Sequence, residues 1–277
     1  MISAFSNIAA YINAGGRGTR LKPVFRPDPV LGVSKALIQI GTPPITLVEH
    51  AINKLLRAGV PRIVVGVGDH ENVSYHIKTV YPDHNDIYII QHLNQLGHGG
   101  DLIRGVREHG DFFGKQLLIV NVDTLVDINE RNLLDFHNYK NADLTIALTQ
   151  NAGVPNEGAY CVDKEDKVLY SAEVSVSLTN DQDFSNVAYR GSSTGVIIVQ
   201  TELIHNLEWQ PHNGPISLYS DILATVLSHD RVYAFNNGTR KFTDVGTPSS
   251  WHDFIQNINV WQPYIHYANR TNIATRQ

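Results

Sequence analysis

The sequence predicts an α/β fold: a mixed, mostly parallel sheet flanked by helices, in a single domain. Three observations carry this. Short β-branched runs alternate with stretches of helical apolar spacing through the first half of the chain. The earliest run leads directly into a glycine-rich turn. After about Gln150 the alternation gives way to hairpin-like segments. Strands that alternate with helices pair in parallel through crossovers, and such a sheet is covered on both faces.

Ile8 to Ile12 reads as a first buried strand. Between Ile45 and Gly59, the residues Val48, Ala51, Ile52, Leu55 and Leu56 recur at helical spacing, and Gly59 stands where a helix stops. Arg62 to Val67 and Ile87 to Ile90 are the next strands, and Leu102, Ile103 and Val106 mark a helix before Gly110. Leu117 to Val120 is a fourth strand, followed by a helix through Leu133, Leu134 and Phe136 and a fifth strand from Leu144 to Leu148. Tyr160 to Glu173 and Tyr189 to Gln200 read as hairpin-like, separated by a polar stretch from Ser175 to Asn186. A helix through Ile222, Leu223 and Val226 and a strand from Val232 to Phe235 follow. One domain is predicted over residues 1–260, with a polar tail over 261–277.

The 277 residues are 42% hydrophobic, enough for a large core. A net charge of -5, with 22 basic residues scattered along the chain, argues against a nucleic-acid partner, which wants clustered Lys and Arg. The single cysteine, Cys161, excludes an intramolecular disulfide and a cysteine-based zinc cluster. Met1 to Ala10 lacks the pattern of a signal peptide, and no apolar run approaches the roughly 20 residues of a membrane span. These features predict a soluble cytoplasmic protein with no membrane partner. Neither His-Glu-x-x-His nor Gly-x-Ser-x-Gly occurs, so zinc-protease and serine-hydrolase chemistry have no support.

The strongest local signal is Asn13-Ala14-Gly15-Gly16-Arg17-Gly18-Thr19-Arg20-Leu21-Lys22-Pro23. Glycines directly after a buried strand let backbone N–H groups approach an anion, and Arg17 and Arg20 can neutralise it. The string lacks the Gly-Lys-Ser/Thr ending of a P-loop and the third glycine of a dinucleotide fingerprint. Asp123 follows the fourth strand, at the carboxyl end where open α/β sheets bind ligands. Asp244 lies in Phe242-Thr243-Asp244-Val245-Gly246-Thr247-Pro248, where Thr247 and Pro248 read as the cap and first turn of a last helix.

Gly15, Gly16, Gly18, Thr19, Arg20, Leu21 and Pro23, followed by Lys35 in Val33-Ser34-Lys35-Ala36-Leu37, closely resemble the signature of the sugar nucleotidyltransferase family. The heptose-1-phosphate guanylyltransferase-like branch is the nearest in look. The resemblance runs from Ile8 to about Ile255 and implies a Rossmann-like, GT-A-like fold. It implies a nucleotide-binding part over 1–150 and a sugar-binding part over 151–260. It also implies a Mg²⁺-dependent enzyme that joins a nucleoside triphosphate to a sugar 1-phosphate, possible homo-oligomers included.

Residue by residue, the resemblance assigns the Gly15–Gly18 backbone and Thr19 to the triphosphate, Arg20 to the departing pyrophosphate and Lys35 to the α-phosphate. Asp123 and Asp244 hold Mg²⁺, a cation that takes hard oxygen ligands. Gln95 and Gly97, in Gln95-Leu96-Gly97-His98-Gly99-Gly100, match the segment that reads the base. Glu173, Thr194 and Gly195 match the segments beside the sugar. The sequence departs from the family at two places: Val122 replaces the glycine before the first aspartate, and Val174 replaces the lysine after Glu173. Arg190, Arg240 or Lys241 is the candidate to supply the missing charge. Two alternative readings stay open, a GT-A-type glycosyltransferase and a non-catalytic nucleotide-sugar sensor.

Overall fold

The computed structural model describes residues 7–16, 18–21, 34–91, 96–150, 159–171, 176–177, 184–208, 216–226 and 231–267. Its first half comprises β1 (Ile8–Asn13), β2 (Gln39–Ile40), β3 (Ile45–Thr46), α1 (Leu47–Ala58), β4 (Ile63–Gly68), α2 (Glu71–Val80) and β5 (Ile87–Gln91). There follow α3 (Gly97–Glu108), α4 (Gly110–Phe113), β6 (Gln116–Asn121), β7 (Thr124–Val126), α5 (Glu130–Tyr139) and β8 (Leu144–Thr149). The second half adds β9 (Ala159–Val162), β10 (Val168–Ser171), β11 (Val176–Ser177), β12 (Tyr189–Gln200), α6 (Thr201–Asn206), a π-helical turn Leu218–Leu223 and α7 (Ala224–Val226). β13 (Val232–Asn236), β14 (Phe242–Asp244), α8 (Pro248–Gln256) and α9 (Ile258–Trp261) complete it.

One sheet forms the centre. Its strands run β11-β10-β9-β12-β6-β1-β4-β5, with β8 pairing β12 and β13. β5, β4, β1 and β6 are mutually parallel, whereas β12 is antiparallel to β6, β8 and β9. The chain winds outward from β1 through β4 to β5, then returns to place β6 on the other side of β1. Such a reversal opens a crevice beyond the carboxyl ends of β1 and β6, the place where α/β sheets hold ligands.

Strand periodicity divides the core. Ile8, Ala10 and Ile12 of β1 join α1, α2, α5 and α8 in one apolar cluster, while Ala9 and Tyr11 join α3, α6 and the turn at Leu218–Val226 in the other. Alternate side chains of a strand point to opposite faces, so one buried run serves both layers. The helices start and stop on local chemistry. Thr46 and Glu49 form a capping box on α1, and Gly59, left-handed at φ 82°, ends it with its N–H on Leu55 and Leu56. Thr247 and Ser250 form the equivalent box on α8, with Pro248 in its first turn.

One element differs from the sequence expectation. Tyr189 to Gln200 is a single twelve-residue strand, not hairpin-like. Its Gly191-Ser192-Ser193-Thr194-Gly195 stretch has turn composition, but pairing with β9, β8 and β6 along its length overrides that preference. The turn signal survives as a register shift between Ser193 and Ile197, where Gly195 sits at φ 72°. Among the described residues no helix is long and apolar enough to cross a membrane.

Candidate active site

The crevice beyond β1 and β6 is a cleft of about 450 Å³, within the range of small-molecule sites. Of the residues singled out in the sequence, Gly16, Gly18, Thr19, Arg20, Lys35, Asp123, Thr194, Gly195 and Asp244 line it together.

The glycine turn leaves β1 and folds over Lys35. A Cβ at Gly16 would lie 3.6 Å from the Lys35 ammonium, and one at Gly18, itself at φ 59°, would lie 3.0 Å from the Lys35 Cβ. Gly15 stands behind the cleft, where a Cβ would press on the Gly68 backbone nitrogen at 3.1 Å. The glycines thus serve a packing need besides anion approach: they let the turn close onto β4 and onto a lysine. Lys35 itself begins a short 3₁₀ turn whose start is capped by the buried Ser34 hydroxyl, an acceptor for the Ala36 N–H at 3.3 Å. This fixes the lysine's exit from the backbone.

Asp123 follows β6 and is 6% exposed. Its carboxylate forms an ion pair with Lys35 Nζ. Asp244 reaches the same place through the two-stranded ribbon of β7 and β14, in which Asp244 stands opposite Thr124. The Val245 N–H donates to the Asp123 carbonyl at 2.9 Å and locks that register. Gly246 is the wedge between the acids: a Cβ there would meet Asp244 Oδ1 at 2.7 Å and Asp123 Oδ2 at 2.8 Å. Burial, and then the Asp123 charge, push the Asp244 carboxyl above its ordinary value, against the pull of the Gly246 N–H, Lys35 and Arg20. Two carboxylates held this closely form a site that a cation would relieve. Among the described residues no group of three or more His, Cys, Asp or Glu gathers. A hard cation held by this pair would complete its shell from ligand oxygens and water, as Mg²⁺ does.

Val122 does not narrow the cleft. Its side chain is buried in the core cluster below, and only its N–H points up, to the Asn13 carbonyl at 3.3 Å. The acceptor side is less complete. Arg190 is exposed near the start of β12 and does not line the cleft. Arg240 lies 3.9 Å from Asp127, also outside the cleft lining. Gly97 opens α3 and likewise stands outside that lining. Gln95 and Glu173 lie outside the described residues, as does the side chain of His98. Sequence reasoning did not single out Asn13, Asn121, Thr124, Ser193, Phe242 or Gly246 as site residues, yet all six line the cleft. Asn13 and Asn121 had a signal available, as polar residues ending two otherwise apolar buried runs.

A doubly wound sheet with a glycine turn, a lysine and two clustered aspartates at its switch point has the architecture of nucleotide-binding α/β proteins. The nucleotidyl transferase family model matches residues 9–260, and the chain belongs to that family. The mannose-1-phosphate guanylyltransferase of Mycobacterium tuberculosis is 23% identical over 91% of this chain, which spans 64% of that protein's length. A mannose-1-phosphate guanyltransferase of Candida albicans is 25% identical over 87% of this chain and 61% of its own length. Among solved structures, HddC from Yersinia pseudotuberculosis complexed with GMP-PN superposes with a TM-score of 0.67 at 21% identity, covering 90% of this chain and 99% of that one. The inositol-1-phosphate CTP transferase from T. maritima gives 0.65 at 17% identity, over 91% and 96%.

Proposed function

We propose that the chain transfers a nucleoside monophosphate from a nucleoside triphosphate to a sugar 1-phosphate and releases pyrophosphate. The observation that carries this reading is the convergence, in one cleft, of the glycine turn, Arg20 and the Lys35–Asp123–Asp244 cluster. GTP with a hexose or heptose 1-phosphate is the first pair to test. The named guanylyltransferase relatives and the GMP-PN complex of the Yersinia protein support that choice.

A sugar phosphate is largely dianionic near neutral pH, because its second pKa is about 6. Its oxygen attacks the α-phosphorus in line without a general base, so the protein supplies orientation and charge. Backbone N–H groups of the glycine turn face the triphosphate. Arg20 takes the charge that develops on the departing pyrophosphate, and Lys35 bridges Asp123 to the α-phosphate. Asp123 and Asp244 would hold Mg²⁺, whose contribution when bound is to neutralise phosphate oxygens as negative charge builds. In the same reading, residues 1–150 serve the nucleotide and 151–260 the acceptor. The reaction runs in the cytoplasm, and the chain assembles as a homo-oligomer, which light scattering checks.

The test is pyrophosphate release with Mg²⁺ across the four ribonucleotides and dTTP, against a panel of hexose and heptose 1-phosphates. Mass detection of the nucleotide sugar runs beside it, with Asp123→Asn as control. Release that requires both substrates and disappears in the control supports the reading. Consumption of a ready-made nucleotide sugar without pyrophosphate turns it toward a glycosyltransferase. Nucleotide binding without any turnover turns it toward a sensor.

A further inference from the structure

Two carboxamides sit on the floor of the cleft where apolar side chains would satisfy the fold. β1 and β6 are parallel neighbours, and their register sets Ala9 opposite Leu117, Tyr11 opposite Ile119 and Asn13 opposite Asn121. Every second residue of a strand shares a face, so these three pairs form one column on the α3 side of the sheet. The first two pairs are buried in the apolar cluster on that face. The third, at the carboxyl ends of both strands, is half-buried, and both of its residues line the cleft.

Asn13 Nδ2 donates to Asn121 Oδ1 at 3.4 Å, a long bond across 108 residues of sequence. The pair puts two amides at the carboxyl ends of adjacent strands, where both face the cleft. Gly195 leaves room for Asn121 at its side. Asn121 Nδ2 lies 2.9 Å from where a Cβ of Gly195 would stand, and Thr124 Oγ1 lies 3.0 Å from the same point. The bulge in β12 therefore leaves room for Asn121 to stay on the floor between Asp123 and the Ser193–Gly195 wall. This part of the floor bears amides and hydroxyls: Asn13, Asn121, Thr124, Ser193 and Thr194. Neutral groups that both donate and accept match hydroxyls better than they match phosphate.

We infer that the Asn13–Asn121 pair is a specificity element that reads a hydroxyl of the sugar 1-phosphate acceptor. This rests on the transferase reading above and departs from its division of the chain in one respect: part of the acceptor side falls to β1 and β6, within residues 1–150 that otherwise serve the nucleotide. It places part of acceptor selection on the rigid centre of the sheet, where the backbone of both strands is fixed by pairing on either side.

The experiment is steady-state kinetics with GTP and whichever hexose or heptose 1-phosphate the unsubstituted enzyme turns over fastest, together with the monodeoxy analogues of that sugar. Asn121→Leu and Asn13→Leu are near-isosteric and remove the hydrogen-bonding groups. Asn121→Ser and Asn13→Ser stand in if the leucines disturb folding, as read by thermal melting. The expected result is an acceptor kcat/KM lower by about tenfold to a hundredfold with the KM for GTP within about twofold. One deoxy analogue should cost the unsubstituted enzyme a similar factor and cost the Asn121 variant nothing further, which ties the residue to that hydroxyl. An unchanged acceptor kcat/KM, an equal rise in the KM for GTP, or losses that add for every deoxy analogue would overturn the inference and leave the transferase reading standing. Absence of turnover by the unsubstituted enzyme with every sugar 1-phosphate and nucleotide would overturn both.

Discussion

Asp123 and Asp244 close on one another at the foot of the cleft, and His50 and His266 pack together between α1 and the C-terminal segment. The two places bury like-type ionisable groups in opposite ways. At the cleft, the acids are held around Gly246, and their mutual repulsion adds to burial in raising the Asp244 carboxyl, with Lys35 and Arg20 only partly offsetting it. Behind α1, the imidazoles lie with ring centroids 5.4 Å apart, near Lys54 and Arg57. Burial first, and then Lys54 and Arg57, drive His266 down to about 4, while burial, Lys54 and His266 push His50 well below its ordinary 6.5. The rings therefore stay neutral, and His50 Nδ1 accepts the His266 backbone N–H at 3.0 Å. One site keeps an electrostatic strain that a bound cation can relieve. The other removes the strain by excluding the charge.

The comparison can be broken at its strongest point first. Lys35→Ala should lower kcat/KM for pyrophosphate release by about a hundredfold to a thousandfold, the effect of deleting one preorganised charge at a reacting phosphate. It should also reduce thermal stability, because Asp123 loses its buried partner. Activity that survives intact would remove the cluster from the mechanism.

Asp244→Asn separates strain from function. A carboxyl whose folded-state pKa lies above its unfolded value destabilises the fold as pH rises from about 3.8 through the raised value, and that cost is fully present above it. Removing the charge should therefore raise the metal-free melting temperature at pH 7.5 by about 2–4 °C, the shift expected for roughly 1 kcal/mol in a chain of this size. Added Mg²⁺ should stabilise the unsubstituted protein through binding and leave the variant nearly unmoved. A variant that melts lower than its parent without metal would show that Asp244 is an ordinary structural acid.

The histidines predict the reverse slope. Unfolded chains take up protons near pH 6.5 while the native rings refuse them, so stability is complete above 6.5 and is lost as pH falls toward 4. His137, driven to about 4 by burial, contributes in the same window. Urea midpoints across pH 7 to 4.5 should fall by an amount equivalent to several kcal/mol in total, about 2 kcal/mol per ring. His50→Asn, which keeps an acceptor for the His266 N–H, should flatten part of that fall.

The smallest effect concerns the acceptor wall. Gly195→Ala places a methyl against Asn121 and Thr124 at a left-handed backbone position, costing about 1–2 kcal/mol and raising the acceptor KM several-fold while the KM for GTP holds. Equal changes in both constants would place the bulge on the nucleotide side instead.

Much of this was legible in the chain itself. The glycine turn, Arg20 and Lys35 all fall early in the chain, and turn geometry and charge are local properties. The alternation of apolar runs gave the parallel strands because each run needed two covered faces. The caps at Gly59 and Thr247 stood where the structure places them, since capping involves only neighbours within a turn.

Long-range geometry was not legible. Tyr189 to Gln200 carries turn residues, and only its neighbours in the sheet make it one strand. Arg190 offered a charge of the right sign, but its place near the start of β12 leaves it exposed and off the cleft lining. Val122 stands where the family has glycine, and only the structure shows its side chain buried in the core.

The sequence by itself determined the α/β class, the glycine-rich turn and the charged residues that stand near it, because propensity, period and side-chain chemistry are written locally. The tertiary structure decided which of those residues meet. It joined β7 to β14 so that Asp244 faces the residue after Asp123, and it set Asn13 against Asn121 across the switch point. Those encounters depend on strand register between distant segments, and register is fixed by the packing of whole faces, not by any one stretch of chain.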